Sequence, residues 1–250
     1  MPQQKPDIRA GDIAVALALL TRLPLRADFS RGAAAAWAYP LAGVVLAMLA
    51  GVMCWLLMAL GLPPTLAAAA WLFATIVLSG AMHEDGLADC ADGFWGGWEK
   101  ARRLEIMKDS RIGTYGVLAL GLSLLCRWAA LTVILTVPGW GLALIGVAAL
   151  SRAAMPALMT ALPHARSDGL SRAQGRPSRQ QALVAVAIGC GAAILGAGWG
   201  GIALIVVALL ATGCCALIAR SKIGGQTGDV LGATQQVCEI ALLATLATLT

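Results

Sequence analysis

His83-Glu84-Asp85-Gly86-Leu87-Ala88-Asp89-Cys90-Ala91-Asp92-Gly93 places five acidic or imidazole side chains in ten positions, directly after an apolar run able to enter a bilayer. Read as a helix, it carries Asp85, Asp89 and Asp92 at i, i+4 and i+7, so the carboxylates share one face. Like charges that close repel unless a cation holds them. Mg²⁺ is the natural choice, because it takes oxygen ligands from a few carboxylates and leaves room for substrate phosphates. The blander reading is a helix cap or a turn, but capping needs one acid rather than three. His83 points elsewhere on a continuous helix and is a candidate base or hydrogen-bonding group. Cys90 has no neighbouring thiol and reads as a small spacer.

Gly224-Gly225-Gln226-Thr227-Gly228-Asp229 immediately precedes the last apolar run. Glycines let a backbone approach a ligand, and the N–H groups of a helix start attract phosphate. Gly224, Gly225, Gln226, Thr227 and Gly228 are therefore candidate substrate contacts, with a plain turn as the alternative. Asp229 either caps the helix or joins Asp85, Asp89 and Asp92 as a metal ligand. Arg127, Arg152 and Glu239 fall near the middle of apolar runs, where ionisable groups are costly and should face the bundle interior. The two arginines either pair with Glu239 or bind a phosphorylated substrate, Arg152 being carried as a substrate contact. Arg111, close to Asp109, Gly113 and Gly116, is the better phosphate candidate. Acids for a cation, glycines for phosphate and arginines for charge together suit phosphoryl transfer.

The elements that must hold these groups are membrane helices. The chain has 250 residues, 59% hydrophobic and 12% charged, with mean hydropathy +0.80, which excludes an ordinary water-soluble domain. Spanning runs are predicted at 36–60, 65–82, 116–137, 141–162, 182–199, 201–219 and 230–249, about seven helices in one all-α domain. Residues 13–20 read as a short interfacial helix, and 99–111 as a charged one. No cleavable signal peptide is apparent. Lys5, Arg9, Arg22, Arg26 and Arg31 precede the first span, and further clusters fill the loops around 100–111, 166–179 and 220–222, whereas the intervening turns are uncharged. The positive-inside rule makes the N-terminus and all long loops cytoplasmic. The net charge of +5 thus reports topology and contact with lipid or anionic substrate, not nucleic acid. The loop at 83–115 reads as an active site and that at 163–181 as a lid or surface. Seven scattered cysteines suggest neither a disulfide framework nor a zinc site.

These motifs resemble those of the cobalamin synthases, the adenosylcobinamide-GDP ribazoletransferases of the bacterial inner membrane. The resemblance rests on His83 to Asp89 with Asp92-Gly93, on Arg103-Leu104-Glu105-Ile106-Met107-Lys108-Asp109-Ser110-Arg111-Ile112-Gly113-Thr114, and on Gly224 to Asp229. Weaker echoes are Thr21-Arg22-Leu23-Pro24, Pro40-Leu41-Ala42-Gly43 and Ser151-Arg152, in the expected order. Around Leu25 and Arg26 the family often has another proline. The resemblance implies Mg²⁺-dependent joining of adenosylcobinamide-GDP to α-ribazole, or its 5′-phosphate, with release of GMP. Asp85, Asp89, Asp92 and Asp229 would hold the metal, and one carboxylate or His83 would act as base. A homo-oligomer, or association with other enzymes of the pathway, stays open. So do a cation transporter and a non-catalytic scaffold, although acids at a membrane boundary and the lack of an inverted repeat argue against transport.

Overall fold

In the computed structural model, which describes residues 8–249, regular structure is helical throughout. Lys5 lies outside the described residues. Helix α1 (Gly11–Leu20) is followed by a 3₁₀ stretch (Phe29–Ala38) that continues into α2 (Tyr39–Ala59). Then come α3 (Pro64–Ser79), α4 (Met82–Gly96), α5 (Lys100–Ile106), α6 (Thr114–Ile134), α7 (Trp140–Ala161), α8 (Leu170–Gln174), α9 (Arg179–Ala197), α10 (Gly200–Ile223) and α11 (Gly228–Leu249). Six stretches are long and apolar enough to cross a bilayer, and a seventh is counted only when α3 and α4, bent by 89° at their break, are taken as one span. Every predicted span has its helix, and the short segment expected over 13–20 is the apolar helix α1.

Helix α7 is the axis of the bundle, 83% of its spanning window being buried, and α2, α9 and α11 pack around it. The core between them is mostly Ala and Leu with Trp71, which lets backbones approach closely where no hydrophobic drive separates lipid from protein. The charged helix expected over 99–111 is shorter: α5 ends at Ile106. Beyond it Met107 is buried against α4, and the chain must turn back to begin α6.

The arginines inside spans are not at the surface where a substrate would arrive. Arg127 Nη1 lies 3.1 Å from Glu84 Oε1 and 3.5 Å from Glu239 Oε1, and Arg152 Nη1 lies 3.6 Å from Glu239 Oε2. Gln236 Nε2 donates to Glu84 Oε1, and Gln235 Nε2 donates to Glu239 Oε2 and Ser151 Oγ. Arg152 is therefore a partner of Glu239, the pairing that is one of its two expected roles. Two arginines and two glutamates offset one another in the protein interior, where an unpaired charge would be prohibitive.

Arg127→Met should strand Glu84, Glu239 keeping Arg152, and lower stability by about 3–5 kcal/mol. Adding Glu84→Gln should recover part of that loss, read as the thermal unfolding midpoint of the detergent-purified protein.

Candidate active site

Helix α4 owes its direction to a turn of two left-handed residues, Gly80 (φ 66°) and Ala81 (φ 56°). From there it runs antiparallel to both α6 and α11. Glu84 at its start meets Arg127 and Gln236, whereas Asp92 near its end meets the first turn of α6. At the crossing with α11, a Cβ on Gly86 would come within 2.6 Å of the Asp229 carbonyl oxygen. Gly86 is thus what lets Asp229 come alongside the acidic helix. Successive side chains step around α4, so its acids face different ways.

Asp92 is buried and serves α6: its carboxylate accepts from Gly113 N (2.7 Å) and Gly116 N (2.9 Å). A side chain at either glycine would collide with that carboxylate. Asp92 therefore caps a helix from outside, satisfying N–H groups that a helix start leaves open. Its carboxylate is thus engaged with the start of α6, unlike those of Asp85 and Asp89. His83 is 1% exposed, and its neighbouring charges are Arg127 and Arg152, so it belongs with the buried network rather than with Asp85.

Asp85 is exposed and Asp89 half-buried, and among the described residues neither has a hydrogen-bond or ion-pair partner. Asp89 lies in the fields of Asp85, Asp229 and Asp92, with Arg166 opposing them. Asp229 Oδ2 accepts from Thr227 Oγ1 at 3.1 Å and lies 3.4 Å from Arg166 Nη2. Asp85, Asp89 and Asp229 are thus brought together at one end of the bundle, as the sequence leads one to expect.

The glycine-rich segment is built differently from a phosphate cradle. Thr227 Oγ1 accepts from Val230 N and starts α11. Gln226 N donates to Pro163 O (2.8 Å), and Ala165 N to Gln226 O (2.9 Å), a short parallel bridge between this segment and the loop after α7. The Gln226 side chain is 1% exposed; it donates to His164 Nδ1 (3.0 Å) and accepts from Ser171 Oγ (2.6 Å). Gly225 is required because Pro163 O occupies the space a side chain would take. The segment's hydrogen bonds thus dock the 163–171 loop. Burial, reinforced by Arg172 and Arg176, holds His164 below its usual value, which keeps Nδ1 an acceptor.

That loop carries Arg166, which sequence reasoning read only as part of a basic surface. Its guanidinium lies against Gly169 (φ 91°), 3.8 Å from Asp168 Oδ1. Lys108 ties Asp168 from the α5–α6 connection at 2.5 Å and draws its carboxyl below the usual value. Arg111, in contrast, is 88% exposed and engaged with Asp109 through Nε and Nη2. The only local signal for Arg166 was its position in a charged loop at the same end as the acids.

Among the described residues no three His, Cys, Asp or Glu side chains are placed together closely enough to hold a metal ion by themselves. Asp85 and Asp89 nevertheless offer free carboxylates beside Asp229, an oxygen-only donor set. It fits a hard cation that completes its coordination with water and substrate oxygens, and not zinc.

A multi-pass helical bundle with acids and an arginine gathered at one end is a membrane protein fitted to act on phosphorylated substrates, and its class is that of membrane transferases. Residues 12–247 match the cobalamin-5-phosphate synthase family, and the chain belongs to that family. It is 46% identical to the adenosylcobinamide-GDP ribazoletransferase of Mesorhizobium japonicum, over 93% of this chain and 91% of the relative. Proteins of the same name from Bradyrhizobium diazoefficiens (42%, 93% of this chain and 92% of the relative) and Azorhizobium caulinodans (44%, 93% and 94%) are similar over comparable lengths. No solved structure matches the chain.

Asp92→Ala should cost about 1–2 kcal/mol through the lost cap, seen as faster amide exchange in the first turn of α6, with measurable turnover retained. Because His164 titrates below its unfolded value, its contribution is complete above about pH 6.5 and declines as the pH falls through the folded value. Protection factors of the Ala165 and Gln226 amides should therefore fall on acidification.

Proposed function

We propose that this chain joins adenosylcobinamide-GDP to α-ribazole, giving adenosylcobalamin and GMP, and accepts α-ribazole 5′-phosphate to give the corresponding phosphate. The reading places this nucleotide-loop assembly step at the cytoplasmic face of the bacterial inner membrane. It draws on the family, on the names of the relatives and on the basic loops gathered with the acids at one end. The observation that carries the chemistry is the pair of unpartnered carboxylates, Asp85 and Asp89, held beside Asp229.

In the reaction a ribose hydroxyl of α-ribazole attacks the phosphorus attached to the cobinamide aminopropanol. A new P–O bond forms, the bond to the GMP phosphate breaks, and GMP leaves with that bridging oxygen. Asp85 and Asp89, with Asp229, are the residues that would hold Mg²⁺, which when bound supplies positive charge to the diphosphate and the departing phosphate. One of the α4 carboxylates accepts the hydroxyl proton. Gly86 keeps Asp229 at van der Waals distance from α4, so the acids are in place before substrate arrives. Preorganisation of that kind supplies much of the rate in phosphoryl transfer.

Asp85→Asn and Asp89→Asn should each lower GMP release about 10²–10⁴-fold, the range for a lost acid–base group, while the protein still folds in membranes. Near-normal rates in both variants would refute the assignment. Chelation should stop turnover of the wild type and added Mg²⁺ restore it; indifference to both would remove the metal from the reading.

A further inference from the structure

We propose that Arg166 is the diphosphate-binding residue of this site, exchanging its contact with Asp229 for phosphate oxygens when the nucleotide substrate arrives. The inference rests on the function proposed above.

The guanidinium is placed among the acids but is poorly bonded to them. Its distances to Asp229 and Asp168, 3.4 and 3.8 Å, exceed the 2.7–2.9 Å typical of charge-assisted hydrogen bonds. Nη1 is buried with no partner at all. A buried donor left unmade is costly, and a phosphate oxygen is the acceptor best matched to the guanidinium fork. Three other arginines near this end have donors committed. Arg103 donates to Gly97 O and Lys222 O, Arg176 to Met159 O and Thr160 O, and Arg111 engages Asp109 in solvent.

The support behind Arg166 is rigid. Its loop is tied to Gln226 by two backbone hydrogen bonds, and by the Gln226 side chain to His164 and Ser171. Lys108 holds Asp168 from a second direction. A diphosphate entering beside Asp85, Asp89 and Asp229 meets like charge on the α4 side, so a fixed cation in the loop is what orients it. Once Arg166 turns to phosphate, the Asp229 carboxylate is freed to act with the α4 acids.

The test uses the full chain in lipid nanodiscs, titrated calorimetrically with inorganic pyrophosphate, together with steady-state kinetics. Arg166→Gln should weaken pyrophosphate binding at least about tenfold, as the loss of a charge-assisted hydrogen bond implies. It should also raise KM for adenosylcobinamide-GDP by a similar factor, leaving KM for α-ribazole in place. Arg166→Lys, which keeps the charge and loses the fork, should fall between. Unchanged pyrophosphate affinity in a folded Arg166→Gln overturns the proposal; if that variant does not fold, unchanged affinity in Arg166→Lys does so. Wild-type protein that binds pyrophosphate through Arg166 but releases no GMP would sink the proposed reaction and leave the anion site standing.

Discussion

Repulsion between carboxylates that have no partner is the constraint around which this end of the molecule is organised. Asp85, Asp89 and Asp229 are forced close by the passage of α4 alongside α11, and Arg166 is the counter-charge the fold provides. Three carboxylates face one guanidinium, and Asp89 lies in the field of the neighbouring acids. Such an arrangement costs stability, as is usual at functional sites.

A few residues deeper, the same helix takes part in the opposite solution. Glu84 and Glu239 are matched by Arg127 and Arg152, with Gln235, Gln236 and Ser151 adding hydrogen bonds. The interior network is balanced in charge, although Glu84 Oε2, Arg127 Nε and Nη2 and Arg152 Nε are buried without hydrogen-bond partners, and it fixes where α4 sits between α6 and α11. The outer cluster is unbalanced and open. The inner network sets the position of the outer acids, because both are displayed by one short rigid rod.

How far the sequence could be read depended on the range of the interaction. Hydropathy marked the spans within a few residues, since burial in lipid acts on continuous runs. Helical spacing also announced α4 and the convergence of Asp85 and Asp89. Asp92 has the same spacing, yet it serves the start of α6, and nothing in the local pattern shows where that helix start comes to rest. Gln226 looked like part of a phosphate cradle because glycines flank it, whereas its hydrogen bonds run to a loop some sixty residues earlier in the chain. Arg166 was hidden for the same reason, and Arg111 and Arg152 drew attention by their neighbours in sequence, not in space.

The faces of α4 also make its length a constraint in its own right. At 3.6 residues per turn, inserting or deleting one residue between Glu84 and Asp89 would swing every later side chain by roughly 100°. Asp92 would leave the α6 terminus and Asp89 would turn into its neighbours, although composition would hardly change. Drift in such a family should therefore proceed by substitution within this helix, with changes of length confined to the connections at either end.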